Sequence, residues 1–156
     1  MAAHRPLVLA RWLALGVPLA LLCGAYFSEY VGGLYPCEMC WWQRYAHFAA
    51  LPFALLAFVA APRRAWIALA ALAILASGLI GAFHAGVEYG WWEGFTTCSA
   101  TPLGSGDPLE ALMHAPLIRC DEVQWSLFGI SLAGFNFLIS TGGALAIFAL
   151  LARKEA

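Results

Sequence analysis

Four long apolar runs alternate with shorter polar stretches along this chain of 156 residues, and they cover residues 12–28, 45–61, 65–83 and 126–152. A helix needs roughly 20 mostly apolar residues to cross the hydrocarbon core of a bilayer. Strands of a membrane barrel would alternate between apolar and polar positions, and these runs do not. The pattern predicts an all-α integral membrane protein: a bundle of four transmembrane helices that forms a single domain over residues 1–156.

Composition narrows the class of protein further. Hydrophobic residues make up 63% of the chain and charged residues 11%, with a mean hydropathy of +0.78. A soluble domain carries about 25% charged residues, so this chain has too few to cover a water-facing surface. Disordered chains combine low hydrophobicity with high net charge, and this chain has neither, so a disordered protein is also excluded. The formal net charge of −1 leaves no basic excess for phosphates, so we expect no binding to nucleic acid.

Basic residues are distributed unevenly around the four runs. Six flank one side of the predicted bundle: Arg5, Arg11, Arg63, Arg64, Arg153 and Lys154. Basic residues favour the cytoplasmic side of a membrane. The pattern therefore predicts cytoplasmic termini and two loops on the opposite side, residues 29–40 and 86–125. The first run is long and no clear cleavage site precedes residue 29, so we expect a retained anchor rather than a cleaved signal peptide.

Four of the five cysteines lie in the predicted outer loops. Cys37 and Cys40 end the first loop, and Cys98 and Cys120 lie in the second. Disulfides persist outside the cytoplasm, so this placement favours redox or structural roles for the four. Cys23 lies within the first apolar run, where a cysteine behaves as a small apolar residue, and we expect it to pack there.

The first cysteine pair has the spacing of a redox motif, and its residues read Pro36-Cys37-Glu38-Met39-Cys40. A Cys-x-x-Cys pair at the start of a helix can have strongly acidified thiols, and proline suits such a start. Arg44 follows one helical turn after Cys40, where a permanent cation would stabilise a thiolate. The alternative is an inert disulfide beside an arginine that extends to the lipid headgroups.

The second pair, Cys98 and Cys120, brackets a polar segment of the longer loop. Within it, residues 107–116 begin with Asp107 and Pro108, a helix-start pattern that predicts a short peripheral helix at the membrane surface. A bond between the two cysteines would close a ring of about two dozen residues and stabilise the fold by roughly 3 kcal/mol. An exposed bond in a loop is also the exchangeable kind, so both interpretations stay open.

Polar residues at the end of the third run are further candidates. His84 has the chemistry to bind or protonate a ligand at the membrane boundary, and a packed or interfacial histidine is an equally good interpretation. We expect Glu88 and Glu93 to lie in water. The sequence contains no nucleotide-binding glycine motif and no zinc-site spacing.

Taken together, the chain resembles the bacterial disulfide bond formation protein DsbB family over essentially its whole length. The most specific elements are Cys37-Glu38-Met39-Cys40 with Gln43-Arg44, and Cys120 followed by Trp125-Ser126-Leu127-Phe128-Gly129. The resemblance implies a protein of the bacterial inner membrane, with the cysteine loops in the periplasm and the termini in the cytoplasm.

The resemblance also implies an electron path. A reduced DsbA-like periplasmic thiol oxidase would attack a Cys98–Cys120 disulfide at Cys98, and the resulting thiols would exchange with Cys37–Cys40. Cys40, supported by Arg44, would pass two electrons to a ubiquinone or menaquinone from the membrane pool. All four cysteines are thus predicted to be catalytic, and Arg44 and Cys40 to contact the quinone. The motifs do not extend to His84, which stays a quinone-binding candidate from its position alone.

Two other functions remain as alternatives. Thiolates together with Met39 and Met113 suit Cu(I) or Hg(II), so the chain has some features of a soft-metal relay or transporter. No cysteine or methionine pair lies in the predicted cytoplasmic loops to receive such an ion, which weakens that interpretation. The third possibility is a structural membrane protein with two disulfide braces.

Overall fold

The structure is a computed structural model that describes residues 5–94 and 118–153. Within these residues, four helices and one two-stranded hairpin follow each other: α1 (Arg5–Tyr30), α2 (Glu38–Val59), α3 (Arg63–Glu88), β1 (Ser126–Leu127), β2 (Ile130–Ser131) and α4 (Leu132–Ala152). The predicted peripheral helix at residues 107–116 lies outside the described residues.

Small apolar side chains fill the centre of the bundle. Helix α3 packs against both α2 and α4. Helix α1 packs mainly against α2 and α4 and makes fewer contacts with α3. The fully buried residues of this core are mostly alanine: Ala10, Ala14, Ala50, Ala54, Ala57, Ile67, Ala70, Ala71, Ile74, Ala144 and Ile147. Because alanine side chains are short, the helix backbones approach one another closely.

Two glycines set the closest approach between α3 and α4. A Cβ atom at Gly78 would lie 2.6 Å from the Thr141 hydroxyl, and one at Gly81 would lie 3.0 Å from the Ala133 carbonyl oxygen. Any larger residue at either position would push the two helices apart. This contact holds the last turns of α3 beside the first turns of α4, where the polar residues described below are found.

Helices α1, α3 and α4 are long and apolar enough to cross a membrane. The predicted all-α membrane architecture is therefore confirmed at this level, whereas a fourth crossing by α2 stays a prediction. Helix α2 begins at Glu38, seven residues before the predicted span at 45, because the polar first turns of this helix are held inside the bundle.

The predicted fourth span was wrong in its first six residues. Residues 126–131 form the β1–β2 hairpin, in which Leu127 pairs with Ile130. Phe128 (φ 52°) and Gly129 (φ 77°) form its turn, and positive φ at both positions is the geometry of a two-residue hairpin loop. The Tyr89 hydroxyl donates to the Gly129 carbonyl and accepts from the Ser131 N–H, so the end of α3 fixes the hairpin.

Candidate redox site

Cys37 caps the N-terminus of α2. Its backbone is extended, and its sulfur accepts a hydrogen bond from the Cys40 N–H at 3.4 Å. The two sulfurs lie 3.2 Å apart and are not bonded to each other. The unpaired N–H groups of the first helical turn carry a partial positive charge, which favours a thiolate at this end of α2. The predicted helix start at the Cys-x-x-Cys motif is thus present in the structure.

His84 and Cys120 complete a buried cluster around Cys37. The Nε2 atom of His84 lies 3.5 Å from the Cys37 sulfur. These two atoms and the Cys120 sulfur all lie within 4.8 Å of one another, and all three residues are buried. Hydrogen bonds with Cys120 and then Cys40, together with burial, raise the pKa of the Cys37 thiol. In the reduced protein these contacts favour the protonated form of the Cys37 thiol.

Two further cysteines, Cys23 and Cys98, are not part of this cluster as the structure describes it. Cys98 lies outside the described residues, so its pairing with Cys120 stays a prediction. Cys23 was expected to pack inside the first span, and this prediction was wrong, because its position on α1 faces away from the other helices and is exposed. Cys120 was predicted to belong to a separate second pair, and its sulfur lies within 4.8 Å of the Cys37 sulfur of the first pair.

Arg44 is buried, and its side chain is hydrogen-bonded to α1. Its guanidinium donates to Glu29 at 2.5 Å and to the Ala25 carbonyl at 3.1 Å, and it lies over the rings of Tyr26 and Trp41. The ion pair has both partners largely out of solvent, and such a pair is costly to break because one charge is left uncompensated. Arg44 is therefore fixed in position, and it does not extend freely to the lipid headgroups.

A network of buried amides and hydroxyls holds His84 in place. The Gln43 amide contacts the His84 Nδ1 atom at 3.0 Å, so the ring is oriented with Nε2 toward the sulfurs. Gln43 in turn accepts from the Asn136 amide at 2.8 Å, and Asn136 bonds His47 and Ser140. This network joins α2, α3 and α4. Gln43 and Asn136 were not among the site residues predicted from the sequence.

Glu88 was expected in water and is instead buried. Its side chain is 8% exposed, and its Oε1 atom lies 3.7 Å from the Nε2 atom of His84. Its Oε2 atom has no hydrogen-bond partner within residues 5–94 and 118–153. The expectation was wrong because α3 continues to Glu88 and the hairpin region covers its last turn. Glu93 is exposed, as expected.

A cavity of about 230 Å³ opens beside the sulfur cluster. Its lining is mostly apolar and includes the ring-bearing side chains of Trp125 and Phe135, and Cys40, Arg44 and His84 also border it. Ligand sites commonly combine an apolar lining with a few placed polar groups. The chemistry of these groups suits a flat, apolar ring that carries oxygen acceptors, because guanidinium and imidazole N–H groups donate to oxygen.

A helical membrane bundle with three clustered cysteines beside an apolar cavity defines a membrane protein of thiol–disulfide chemistry. A sequence model of the family described as Disulfide bond formation protein DsbB matches residues 8–150. The chain belongs to the DsbB family.

Individual relatives agree with this assignment. The Disulfide bond formation protein B of Verminephrobacter eiseniae (strain EF01-2) is 34% identical, over 90% of this chain and 83% of the relative. The protein of the same name from Azoarcus sp. (strain BH72) is 31% identical, over 97% and 95% of the two chains. No solved structure matches the chain.

Proposed function

We propose that this chain is a quinone-dependent protein-disulfide oxidoreductase of the bacterial inner membrane that reoxidises a DsbA-like periplasmic thiol oxidase. One observation carries the proposal. The Cys37 sulfur contacts Cys40 and lies within 4.8 Å of the Cys120 sulfur, beside a cavity bordered by Arg44 and His84. A sulfur from each predicted pair is thus close enough for exchange between the pairs.

In the proposed reaction, a donor thiolate attacks the Cys98–Cys120 disulfide at Cys98, forms a mixed disulfide and releases Cys120 as a thiolate. The Cys120 thiolate then attacks Cys37 in the Cys37–Cys40 disulfide, forms a Cys37–Cys120 bond and releases Cys40 as a thiolate. The second donor thiol resolves the mixed disulfide and frees Cys98. Attack by Cys98 on Cys120 re-forms the second pair, and Cys37 and Cys40 are left reduced.

The cavity fits a quinone as the final electron acceptor, either ubiquinone or menaquinone. A quinone takes up two electrons and two protons and becomes a quinol. Oxidation of the Cys37–Cys40 dithiol releases the same number of each and restores its disulfide. Arg44 would hold a quinone oxygen through its N–H donors, His84 would border the quinone, and Cys40 would face the ring.

Turnover of purified protein tests this function. We expect detergent-purified protein to reduce added quinone in the presence of a reduced DsbA-like donor, and Cys37→Ser or Cys40→Ser to abolish the reaction. Cys23→Ser is the matched control, because Cys23 lies outside the cluster, and it should keep the wild-type rate. A wild-type rate in Cys40→Ser would contradict the proposed route. Stoichiometric Cu(I) binding by a wild-type protein that reduces no quinone would favour the soft-metal relay instead.

A further inference from the structure

The sulfur cluster has the composition and spacing of a metal site when its thiols are reduced. Tetrahedral Zn²⁺ binds sulfur at about 2.3 Å and imidazole nitrogen at about 2.0–2.1 Å, which places two sulfurs about 3.8 Å apart and sulfur and nitrogen about 3.6 Å apart. The Cys37 sulfur and the His84 Nε2 atom are 3.5 Å apart, and the Cys120 sulfur lies within 4.8 Å of both. Displacements below about 1 Å would bring three ligands to bonding distance of one ion.

The orientation of His84 also meets the requirements of a metal ligand. A ligating histidine commonly has its second ring nitrogen held by a hydrogen-bond partner, which fixes the ring. The Gln43 amide holds Nδ1 at 3.0 Å and leaves Nε2 directed toward the sulfurs. Three protein ligands are enough for such an ion, because open zinc sites leave the fourth position to water.

Charge and access favour a divalent ion. Two thiolates and one neutral imidazole compensate a charge of +2, so the loaded cluster would be neutral, as a buried site requires. Thiolate and imidazole ligands select zinc-like ions over Mg²⁺ or Ca²⁺. A surface hollow beside Cys120 is lined by the carboxylates of Glu88, Glu93 and Asp121 and by one guanidinium, that of Arg119, among the described residues. Its excess of negative groups attracts cations toward the cluster.

We propose that Cys37, His84 and Cys120 form a binding site for a zinc-class divalent ion that exists only in the reduced protein. Binding displaces the two thiol protons into solution and forms two metal–sulfur bonds and one metal–nitrogen bond. A Cys37–Cys40 disulfide removes the thiolate of Cys37 and so abolishes the site. An occupied site withholds Cys37 and Cys120 from exchange, so Zn²⁺ inhibits turnover; this consequence, unlike the site, rests on the proposed function.

Cobalt provides a direct spectroscopic test. Reduced full-length protein in detergent, kept free of oxygen, is titrated with Co²⁺, whose thiolate charge-transfer and tetrahedral ligand-field bands report the ligands. We expect one Co²⁺ per chain, displacement by Zn²⁺, and no bands in protein whose Cys37–Cys40 disulfide is formed. Cys120→Ser and His84→Asn should each weaken Co²⁺ binding by roughly 100-fold, because removing a ligand costs at least as much as removing a residue that only hydrogen-bonds to a ligand.

Cys23→Ser is the matched control, since it removes one thiol of the same chain outside the cluster, and it should bind Co²⁺ as the wild type does. Bands that persist unchanged in Cys120→Ser, or that vanish in Cys23→Ser, would overturn the site. So would the absence of thiolate bands in reduced wild-type protein. Because the readout is independent of turnover, a protein that reduces quinone but binds no Co²⁺ loses only the metal site. Conversely, one that binds Co²⁺ and reduces no quinone contradicts only the proposed function.

Discussion

Arg44 shows how the surroundings of one side chain decide what its substitution does. The guanidinium is bound by Glu29 and the Ala25 carbonyl, and it is enclosed by two aromatic rings. Arginine presents several N–H donors in a fixed plane, so some can hold α1 while others face the cavity. A shorter or less branched cation at this position cannot do both.

We expect Arg44→His to raise the KM for quinone by roughly 10-fold, with a smaller change in kcat, because one lost hydrogen bond to a ligand oxygen is worth about 1.4 kcal/mol. Steady-state quinone reduction with the donor at saturation measures both constants. Arg63→His, at the opposite end of the bundle where α3 begins, controls for a general effect of removing an arginine. A normal quinone KM in Arg44→His would remove this residue from the site.

Sequence spacing was enough to locate only part of the site. Cys37 and Cys40 were predicted because a two-residue spacing at a helix start has a chemical meaning of its own. Gln43, Asn136 and Glu88 are single polar residues next to or within apolar runs, and no periodicity marks them. The roles of Gln43 and Asn136 come from contacts between residues 41 and 93 positions apart in the chain, which only the assembled bundle reveals. Glu88 contacts His84 on its own helix, and its burial likewise depends on the packed bundle.

Among the helices, Asn136 makes side-chain hydrogen bonds from α4 to both α2 and α3. Its amide donates to the Gln43 side chain on α2 and to the Ser77 carbonyl on α3, and its oxygen accepts from His47 and Ser140. Interhelical hydrogen bonds of this kind stabilise membrane bundles and select one register of packing. The network also connects the position of α4 to the orientation of His84.

We expect Asn136→Leu to lower the free energy of unfolding by roughly 1–3 kcal/mol, because the buried side-chain oxygen of Gln43 loses the Asn136 donor and His47 keeps only its contact with Ser140. Unfolding in mixed detergent measures the change. Ser140→Ala removes one hydroxyl of the same network and should cost about 1 kcal/mol or less. Equal stability of Asn136→Leu and the wild type would show that the network does not hold the helices together.

The helices themselves were largely predictable, and the errors lie at their ends. Apolar length located all four, because the bilayer requirement leaves few alternatives. The hairpin at residues 126–131 was missed because it continues an apolar run, and its turn depends on Tyr89 from a distant helix. Phe128 has a positive φ that phenylalanine rarely adopts, so its residue type gave no turn signal.

For the molecule as a whole, the two ends of the bundle differ in chemistry. The sulfur cluster, the Arg44–Glu29 pair and the hairpin lie at one end, where α2 and α4 begin and α3 ends. The other end holds the start of α3, where Arg64 donates to the Leu151 carbonyl near the end of α4. From the positive-inside rule we expect the arginine-rich end to lie in the cytoplasm and the sulfur cluster to face the periplasm.

Labelling of single cysteines tests this orientation and, with it, the crossing of the membrane by α2. In a background with all five native cysteines changed to serine, Glu122→Cys reports the end with the sulfur cluster, and Ala61→Cys reports the α2–α3 turn; both positions are exposed. A membrane-impermeant maleimide should label Glu122→Cys in intact spheroplasts and Ala61→Cys only after permeabilisation. If both were labelled without permeabilisation, the two ends of α2 would lie on the same side. The Cys37–Cys40 pair then could not stand at the periplasmic end of a membrane-spanning α2, and the route from a soluble donor to a lipid-borne acceptor would need a different geometry.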